Sequence, residues 1–125
     1  MSKYKNIETT TSDGIRHASI KEANRWCELK MLERAGMIKE LDRQVKFVLI
    51  PRQTEAVLRY SKKGKRLKDG LKVLEQSVVY KADFVYYDVA SGCNVVEDTK
   101  GKKTKDYVIK RKLMLWRYGI RIKEI

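Results

Sequence analysis

The sequence has few of the residues that build metal or disulfide frameworks. Its 125 residues include two cysteines and one histidine. Cys27, Cys93 and His17 stand far apart along the chain. Zinc sites need several cysteine or histidine ligands at short spacing, and disulfide-rich domains need several cysteine pairs. The sequence therefore argues against a structural zinc site and against a disulfide framework.

Long apolar runs are also absent. No stretch approaches the roughly 18 consecutive apolar residues of a membrane-spanning helix, and the first residues lack the apolar core of a secretory signal. Hydrophobic residues nevertheless make up 42% of the chain, enough for a buried core. We expect one cytoplasmic domain with no membrane partner.

Acidic residues are scarce relative to basic ones. The chain has 29 Lys and Arg against 16 Asp and Glu, a formal net charge of +13. A charge surplus of this size on a small surface favours a polyanionic partner. Charge alone leaves several classes open: a nucleic-acid-binding protein, a ribosomal protein, a membrane-surface binder, or a solvated lysine face without a partner.

Two segments have the marks of helices. Ser19 followed three residues later by Glu22 has the form of a capping box, and Gly36 stands where a helix would end, which predicts a helix from about 20 to 35. A second helix is predicted from about 104 to 118. Helical spacing assigns five large side chains to the core: Trp26, Leu29, Ile109, Leu113 and Trp116.

The remaining hydrophobic segments are typical of strands. We expect strands at 45–50 and 56–60, as two strands or one interrupted strand, then at 71–89, 95–100 and 120–125. A turn at "SGCN" makes the third and fourth of these antiparallel neighbours. The order of elements predicts an α/β fold with a central mixed sheet flanked by helices.

Polar segments divide the chain. Residues 1–17 are predicted to form an arm or a short leading hairpin, and residues 18–125 a single domain. Residues 61–70 read "SKKGKRLKDG" and are expected to form an exposed, mobile loop. The basic residues expected to contact phosphate are Lys62, Lys63, Lys65 and Arg66 in this loop and Lys102, Lys103, Lys105 and Lys110 further on.

One group of charged residues suggests chemistry. In a strand over 95–100, alternate side chains share a face, so Asp98 and Lys100 would point the same way and Glu97 the opposite way. Asp83 lies within an apolar stretch on the expected neighbouring strand. Buried charges need partners, and two carboxylates could hold Mg²⁺ or Mn²⁺, which prefer oxygen ligands.

Such a site would hydrolyse phosphodiester bonds. A bound metal polarises the phosphate and lowers the pKa of a bound water, and Lys100 would orient that water or stabilise the transition state. With these residues in view, the chain resembles the PD-(D/E)XK nucleases, whose motif is an acid on one strand and then acid, any residue, lysine on the next. Here the motif residues are Asp83, Asp98 and Lys100.

The resemblance covers most of residues 12–122, and the chain looks like small phage-encoded members and the related transposon-end and junction-resolving nucleases. Alanine at position 82 replaces the proline of the family name. The resemblance implies a restriction-endonuclease-like fold, a divalent metal and DNA cleavage in phage recombination, replication or packaging, with the host-cell cytoplasm as location. Asp83 and Asp98 would be metal ligands.

Four further residues are considered for roles in the site. The resemblance implies that Glu22 is an additional metal ligand, although its capping-box position explains a glutamate equally well. It also implies that Gln44 supports the site. Glu97 competes with Asp98 as the motif acid, but strand alternation favours Asp98. His17 is interpreted as a surface histidine rather than a general base.

The expected function is therefore a metal-dependent DNA endonuclease acting on branched or flap DNA. A domain of this size leaves little room for separate sequence recognition, which favours shape and backbone recognition. Cutting a symmetric junction favours a homodimer. The alternatives are a non-catalytic basic nucleic-acid-binding protein and a phage protein that binds another protein.

Overall fold

The computed structural model describes residues 7–99 and 103–125. Two helices and eight strands follow one another in this part of the chain: β1 (Thr9–Thr10), β2 (Arg16–His17), α1 (Ile20–Arg34), β3 (Ile38–Ile50), β4 (Gln53–Tyr60), β5 (Arg66–Glu75), β6 (Val78–Asp88), β7 (Cys93–Asp98), α2 (Lys105–Tyr118) and β8 (Lys123–Glu124). The predicted α/β class is confirmed.

A four-stranded sheet forms the centre of the fold, with the strand order β3-β6-β7-β8. The β3–β6 and β6–β7 pairs are antiparallel, whereas β7 and β8 are parallel, so the sheet is mixed as predicted. A separate short ladder joins β1 to β2. In the described ranges, neither helix combines the length and apolar character needed to cross a bilayer.

Both helices begin and end where their sequences indicate. The Ser19 hydroxyl accepts a hydrogen bond from the backbone N–H of Glu22 at 3.1 Å and so satisfies a free amide of the first turn of α1. Gly119 ends α2 in the left-handed region, at φ 68°, and its N–H bonds to the Leu115 carbonyl. Glycine adopts this conformation without the steric penalty of a Cβ atom.

The helices cover opposite faces of the sheet. One core joins Trp26 and Leu29 of α1 to Phe84 on β6. The other joins Met114 of α2 to Val96 on β7 and to further strand residues. Each helix thus buries one stripe of side chains on its own face of the sheet, the usual arrangement of a layered α/β domain.

Two residues predicted for the core are in fact on the surface. Ile109 is 56% exposed and Trp116 is 81% exposed, whereas Trp26 and Leu29 are buried and Leu113 packs at the edge of the core. The inward face of α2 is formed by Tyr107 and Met114 instead. The prediction was wrong for Ile109 and Trp116 because helical spacing identifies residues that share a stripe, not which stripe faces the core.

The segment predicted as loop 61–70 is shorter than expected. Residues 61–65 form a turn, and residues 66–70 already belong to β5, which pairs with β4 in a two-stranded ribbon. Nearly all side chains of this ribbon are exposed, and no described strand of the main sheet is hydrogen-bonded to it. A run of lysines is compatible with a strand here because both faces of the ribbon meet water.

Three predicted strands have different bounds in the structure. The run 71–89 is divided at residues 76 and 77 between β5 and β6, because the chain leaves the ribbon and enters the main sheet at this point. β7 ends at Asp98, so the alternation assumed for 95–100 stops there. The predicted final strand over 120–125 shrinks to the two residues of β8, which pair with the end of β7.

Candidate active site

The main sheet contains an irregularity at its centre. On β6, Ala82 packs in the core beside α2, but Phe84 packs in the core beside α1. Residues two apart in a regular strand share a face, so the face changes at Asp83. The flanking ladder pairs place Gln44 of β3 opposite Asp83, and Gln44 has φ 54°. A left-handed glutamine is an uncommon and costly conformation, and such residues concentrate at functional sites.

The Gln44 side chain connects two carboxylates. Its Nε2 donates to Oε1 of Glu22 at 2.9 Å and lies 3.4 Å from Oδ1 of Asp83. Glu22 comes from α1 and Asp83 from β6, so the amide joins residues that are distant in sequence. The structure therefore brings together three residues that the sequence assigned to one site.

Thr99 fixes the other oxygen of Asp83. Its backbone N–H and its hydroxyl both donate to Oδ2 of Asp83, at 2.9 and 2.7 Å. Thr99 follows directly after β7, where the strand hydrogen bonds end. The Asp83 carboxylate is thus held from both sides, by Gln44 and by Thr99, which fixes its orientation.

Asp98 and Glu97 have different surroundings on the two faces of the sheet. Asp98 is 1% exposed and accepts a hydrogen bond from the Tyr80 hydroxyl at 2.5 Å. Glu97 is fully buried, receives two hydrogen bonds from Arg25 at 2.8 and 2.7 Å, and is bonded by the hydroxyl of Tyr86. Glu97 thus serves an internal ion pair that ties α1 to the sheet.

The electrostatics of Glu22 are those of a crowded carboxylate. Burial raises its pKa above the usual value, and the nearby charge of Asp83 raises it further. Hydrogen bonds from the Ala18 backbone and from Gln44 oppose this rise. A carboxylate held beside another carboxylate is unfavourable unless a proton or a cation lies between them. The pair is therefore suited to attract a cation.

His17 is buried, so its interpretation as a surface histidine was wrong. It is 1% exposed, its ring lies 6.0 Å from that of Trp26, and its Nδ1 stands 3.9 Å from Oε1 of Glu22. Burial lowers its pKa, and the charge of Arg43 lowers it further. The β1–β2 ladder places the ring here, where a neutral imidazole packs beside the helix.

An open pocket adjoins Glu22. It has a volume of about 220 Å³ and combines carboxylate and basic side chains. Its lining residues are Glu8, Arg16, His17, Ala18, Glu22, Arg43 and Gln44. The two arginines stand at the same opening as the carboxylate, an arrangement in which a phosphate group and a cation can be bound side by side.

The donor set fits a hard divalent cation. Within residues 7–99 and 103–125, no three His, Cys, Asp or Glu side chains stand close enough together to hold a metal ion. Glu22 and Asp83 form a pair instead. Magnesium is commonly held by one or two carboxylates, with water and substrate phosphate completing its octahedron. Burial raises the pKa of Glu22 most and the charge of Asp83 raises it further, and a cation bound here would offset that second contribution.

The basic residues named from the sequence are spread over three places. Lys62, Lys63 and Lys65 are exposed in the ribbon turn, and Arg66 begins β5 with a bond to Asp69. Lys105 and Lys110 belong to α2, and Lys103 pairs with Glu124 at 3.4 Å. Lys100 and Lys102 lie outside the described residues.

The sequence did not indicate three residues of this site. Thr99 stands inside the motif as its unspecified residue, so nothing marked its hydroxyl as a partner of Asp83. Arg43 and His17 lie in segments whose burial depends on the β1–β2 ladder. The one available signal was position, since His17 lies two residues before Ser19, the cap of the helix that carries Glu22.

Comparison with known proteins gives one match. The model of a family described as "Protein of unknown function (DUF1064)" matches residues 1–123. No curated protein and no solved structure matches the chain.

Proposed function

The chain belongs to the DUF1064 family, and from its site we propose that it is a divalent-metal-dependent DNA endonuclease with a restriction-endonuclease-like core. One observation carries the proposal: the Gln44 amide holds Glu22 and Asp83 within hydrogen-bonding reach of a single nitrogen. A buried carboxylate and a half-buried one are held together here beside a left-handed glutamine, which is an unfavourable arrangement. A cation bound between the two carboxylates would offset its cost.

Each residue has a role in this proposal. Glu22 and Asp83 hold Mg²⁺ or Mn²⁺, and Asp98, two residues after the buried Val96 on the neighbouring strand, is the second acid of the motif. Gln44 and Thr99 orient the carboxylates. Lys100 is assigned by motif position as the group beside the attacking water.

The bound metal would supply Lewis-acid polarisation of the phosphate and a water of lowered pKa. The chain's own contribution is binding and orientation. Arg16 and Arg43 line the pocket beside Glu22 and are placed to hold a phosphate group. Tyr80 keeps Asp98 oriented through its hydroxyl.

Branched or flap DNA is the proposed substrate. The exposed cations lie on a projecting ribbon and on one helix, positions suited to contact with phosphates at separate points of a bent or branched molecule. Phosphate contacts position a protein on DNA without reading its sequence. A homodimer would place two such sites on a symmetric junction.

Cleavage of labelled four-way, flap, duplex and single-stranded DNA tests the proposal. The assay compares Mg²⁺, Mn²⁺ and EDTA for the wild type, Asp83→Asn, Asp98→Asn and the control Asp88→Asn, which changes an acid on the same strand as Asp83 away from the site. We expect metal-dependent cutting that Asp83→Asn and Asp98→Asn abolish and Asp88→Asn retains, with DNA binding preserved in all variants.

Two results would decide against the proposal. Binding without cutting under any metal would make the chain a non-catalytic DNA-binding protein, in which the acids serve ion pairs only. DNA affinity that does not fall as salt rises would point away from nucleic acid altogether, because phosphate contacts release counterions.

A further inference from the structure

Trp116 is the most exposed large hydrophobic residue in the described part of the chain. Its side chain is 81% exposed, whereas the other tryptophan, Trp26, is 6% exposed and donates its ring N–H to Asp13 at 2.6 Å. An indole is among the largest apolar groups a protein can bury. Leaving it in water forfeits that stabilisation, so a ligand that covers the ring would recover it.

The residues around Trp116 identify the chemistry of such a ligand. At about 100° per residue, Lys105, Ile109, Lys112 and Trp116 fall on one stripe of α2, and all four are exposed. This stripe lies on the side opposite Tyr107 and Met114, which face the core. Cationic and apolar side chains therefore alternate along the outer surface of the helix.

We propose that Trp116 is a stacking platform for an unpaired DNA base, with Lys112 and Lys105 binding phosphates of the strand where it continues toward the N-terminal end of α2. An indole face stacks on any base, and lysines along the same stripe neutralise the backbone of the adjoining strand, which is how single-strand-binding surfaces are built. A second copy of the chain fits less well, because it would bring the same lysines and a net charge of +13 to the contact.

This inference rests on the proposed function and deepens it, because it makes an unpaired segment part of the DNA substrate. The platform lies on α2, whereas the carboxylate pair is built from α1, β3 and β6. Binding at Trp116 can therefore be measured without cleavage. Cleavage that persists without stacking at Trp116 would contradict this inference alone, and stacking without cleavage would contradict the proposed nuclease activity alone.

The test is a titration of tryptophan fluorescence in EDTA. The probes are oligothymidylate of about 12 nucleotides, within the usual range of single-strand site sizes, and an abasic strand of the same length. Trp26 is buried, so quenching by DNA reports on Trp116. We expect the thymidylate to quench the wild type strongly and the abasic strand to leave its emission nearly unchanged.

Variants separate stacking from charge. Trp116→Ala should weaken thymidylate binding by about 5- to 150-fold, the equivalent of 1–3 kcal/mol per stacked base, and Trp116→Phe should restore part of the loss. Leu115→Ala, which changes an exposed neighbour off the stripe, should bind as the wild type does. Because Trp116 makes little contact with the core, its variants should retain the wild-type circular dichroism.

Three outcomes would overturn the inference. Equal quenching by the abasic and thymidylate strands would mean that bases are not stacked. Unchanged affinity of Trp116→Ala would remove the ring from the binding surface. A change in sedimentation of Trp116→Ala without DNA would show that a second copy of the chain covers the ring instead.

Discussion

Thr99 donates two hydrogen bonds to one oxygen of Asp83, from its backbone N–H at 2.9 Å and from its hydroxyl at 2.7 Å. Asp83 lies on β6 and Thr99 directly after β7, so the end of one strand fixes the carboxylate on the next. The unspecified position of the sequence motif is therefore occupied by a residue that orients the first acid.

This contact predicts a graded response at position 99. Thr99→Val keeps the backbone donor and the side-chain shape but removes the hydroxyl, so Asp83 loses one of its two bonds at Oδ2. We expect a loss of cleavage or of metal affinity of about 10- to 100-fold, the usual effect of removing a hydrogen-bonding partner of a metal ligand. Thr99→Ser should remain near the wild type. Cleavage rates over a range of Mg²⁺ concentrations measure both, and equal rates for all three proteins would contradict the role.

Gln44 allows the amide and the backbone strain to be separated. Gln44→Ala and Gln44→Gly both remove the link between Glu22 and Asp83, so we expect both to lose cleavage. Only glycine adopts φ 54° without steric cost, so Gln44→Gly should be more stable than Gln44→Ala by about 1 kcal/mol. Urea unfolding gives the free-energy difference. If the alanine variant were as stable as the glycine variant, the left-handed conformation would carry no strain.

The raised pKa of Glu22 predicts how stability depends on pH without metal. The folded state binds the Glu22 proton more tightly than the unfolded chain, whose pKa is near 4.5. Between the unfolded and the folded pKa, rising pH therefore removes stability, and the loss is complete above the folded pKa. Glu22→Gln should be more stable than the wild type at neutral pH and equal to it below pH 4.5.

Unfolding by urea at several pH values in EDTA checks this prediction. Glutamine retains the length and hydrogen-bonding capacity of Glu22, so the helix cap is preserved. The control is Glu55→Gln, an exposed position on β4. A stability difference that persists unchanged at pH 4 would show that ionisation of Glu22 is not its source.

The sequence predicts local features of this fold well. Ser19 and Gly119 marked the ends of helices because capping depends on single residues and their neighbours. The alternation on β7 separated Glu97 from Asp98 correctly, since both residues lie within the regular strand. Asp83 was named from its place in an apolar strand, Glu22 and Gln44 were named through a family resemblance, and the structure brings these three together.

Other features depend on which surfaces meet in three dimensions. Ile109 and Trp116 share a stripe of α2, as their spacing indicates. A different stripe of the helix, with Tyr107 and Met114, packs in the core against the sheet. His17 is buried only because the β1–β2 ladder folds against α1. The left-handed Gln44 follows from the change of face at Asp83, which is a property of two paired strands rather than of either sequence.

Glu97 gives a prediction about stability rather than catalysis. Its carboxylate is fully buried and accepts hydrogen bonds from two nitrogens of Arg25. The Arg25 side chain is 16% exposed. Arg25→Ala would leave a buried charge without its cationic partner, which costs about 3–5 kcal/mol of unfolding free energy. Arg66→Ala is the matched control, because its pair with Asp69 is exposed and contributes about 0–1 kcal/mol.

Urea unfolding of the two arginine variants measures the difference. A third protein, Arg25→Ala with Glu97→Gln, removes the buried charge as well and should recover part of the loss, since the remaining amide needs no counter-charge. If Arg25→Ala were as mild as Arg66→Ala, Glu97 would be held by Tyr86 alone. Glu97 would then be open to a role in the site, and the preference for Asp98 as the motif acid would lose its structural support.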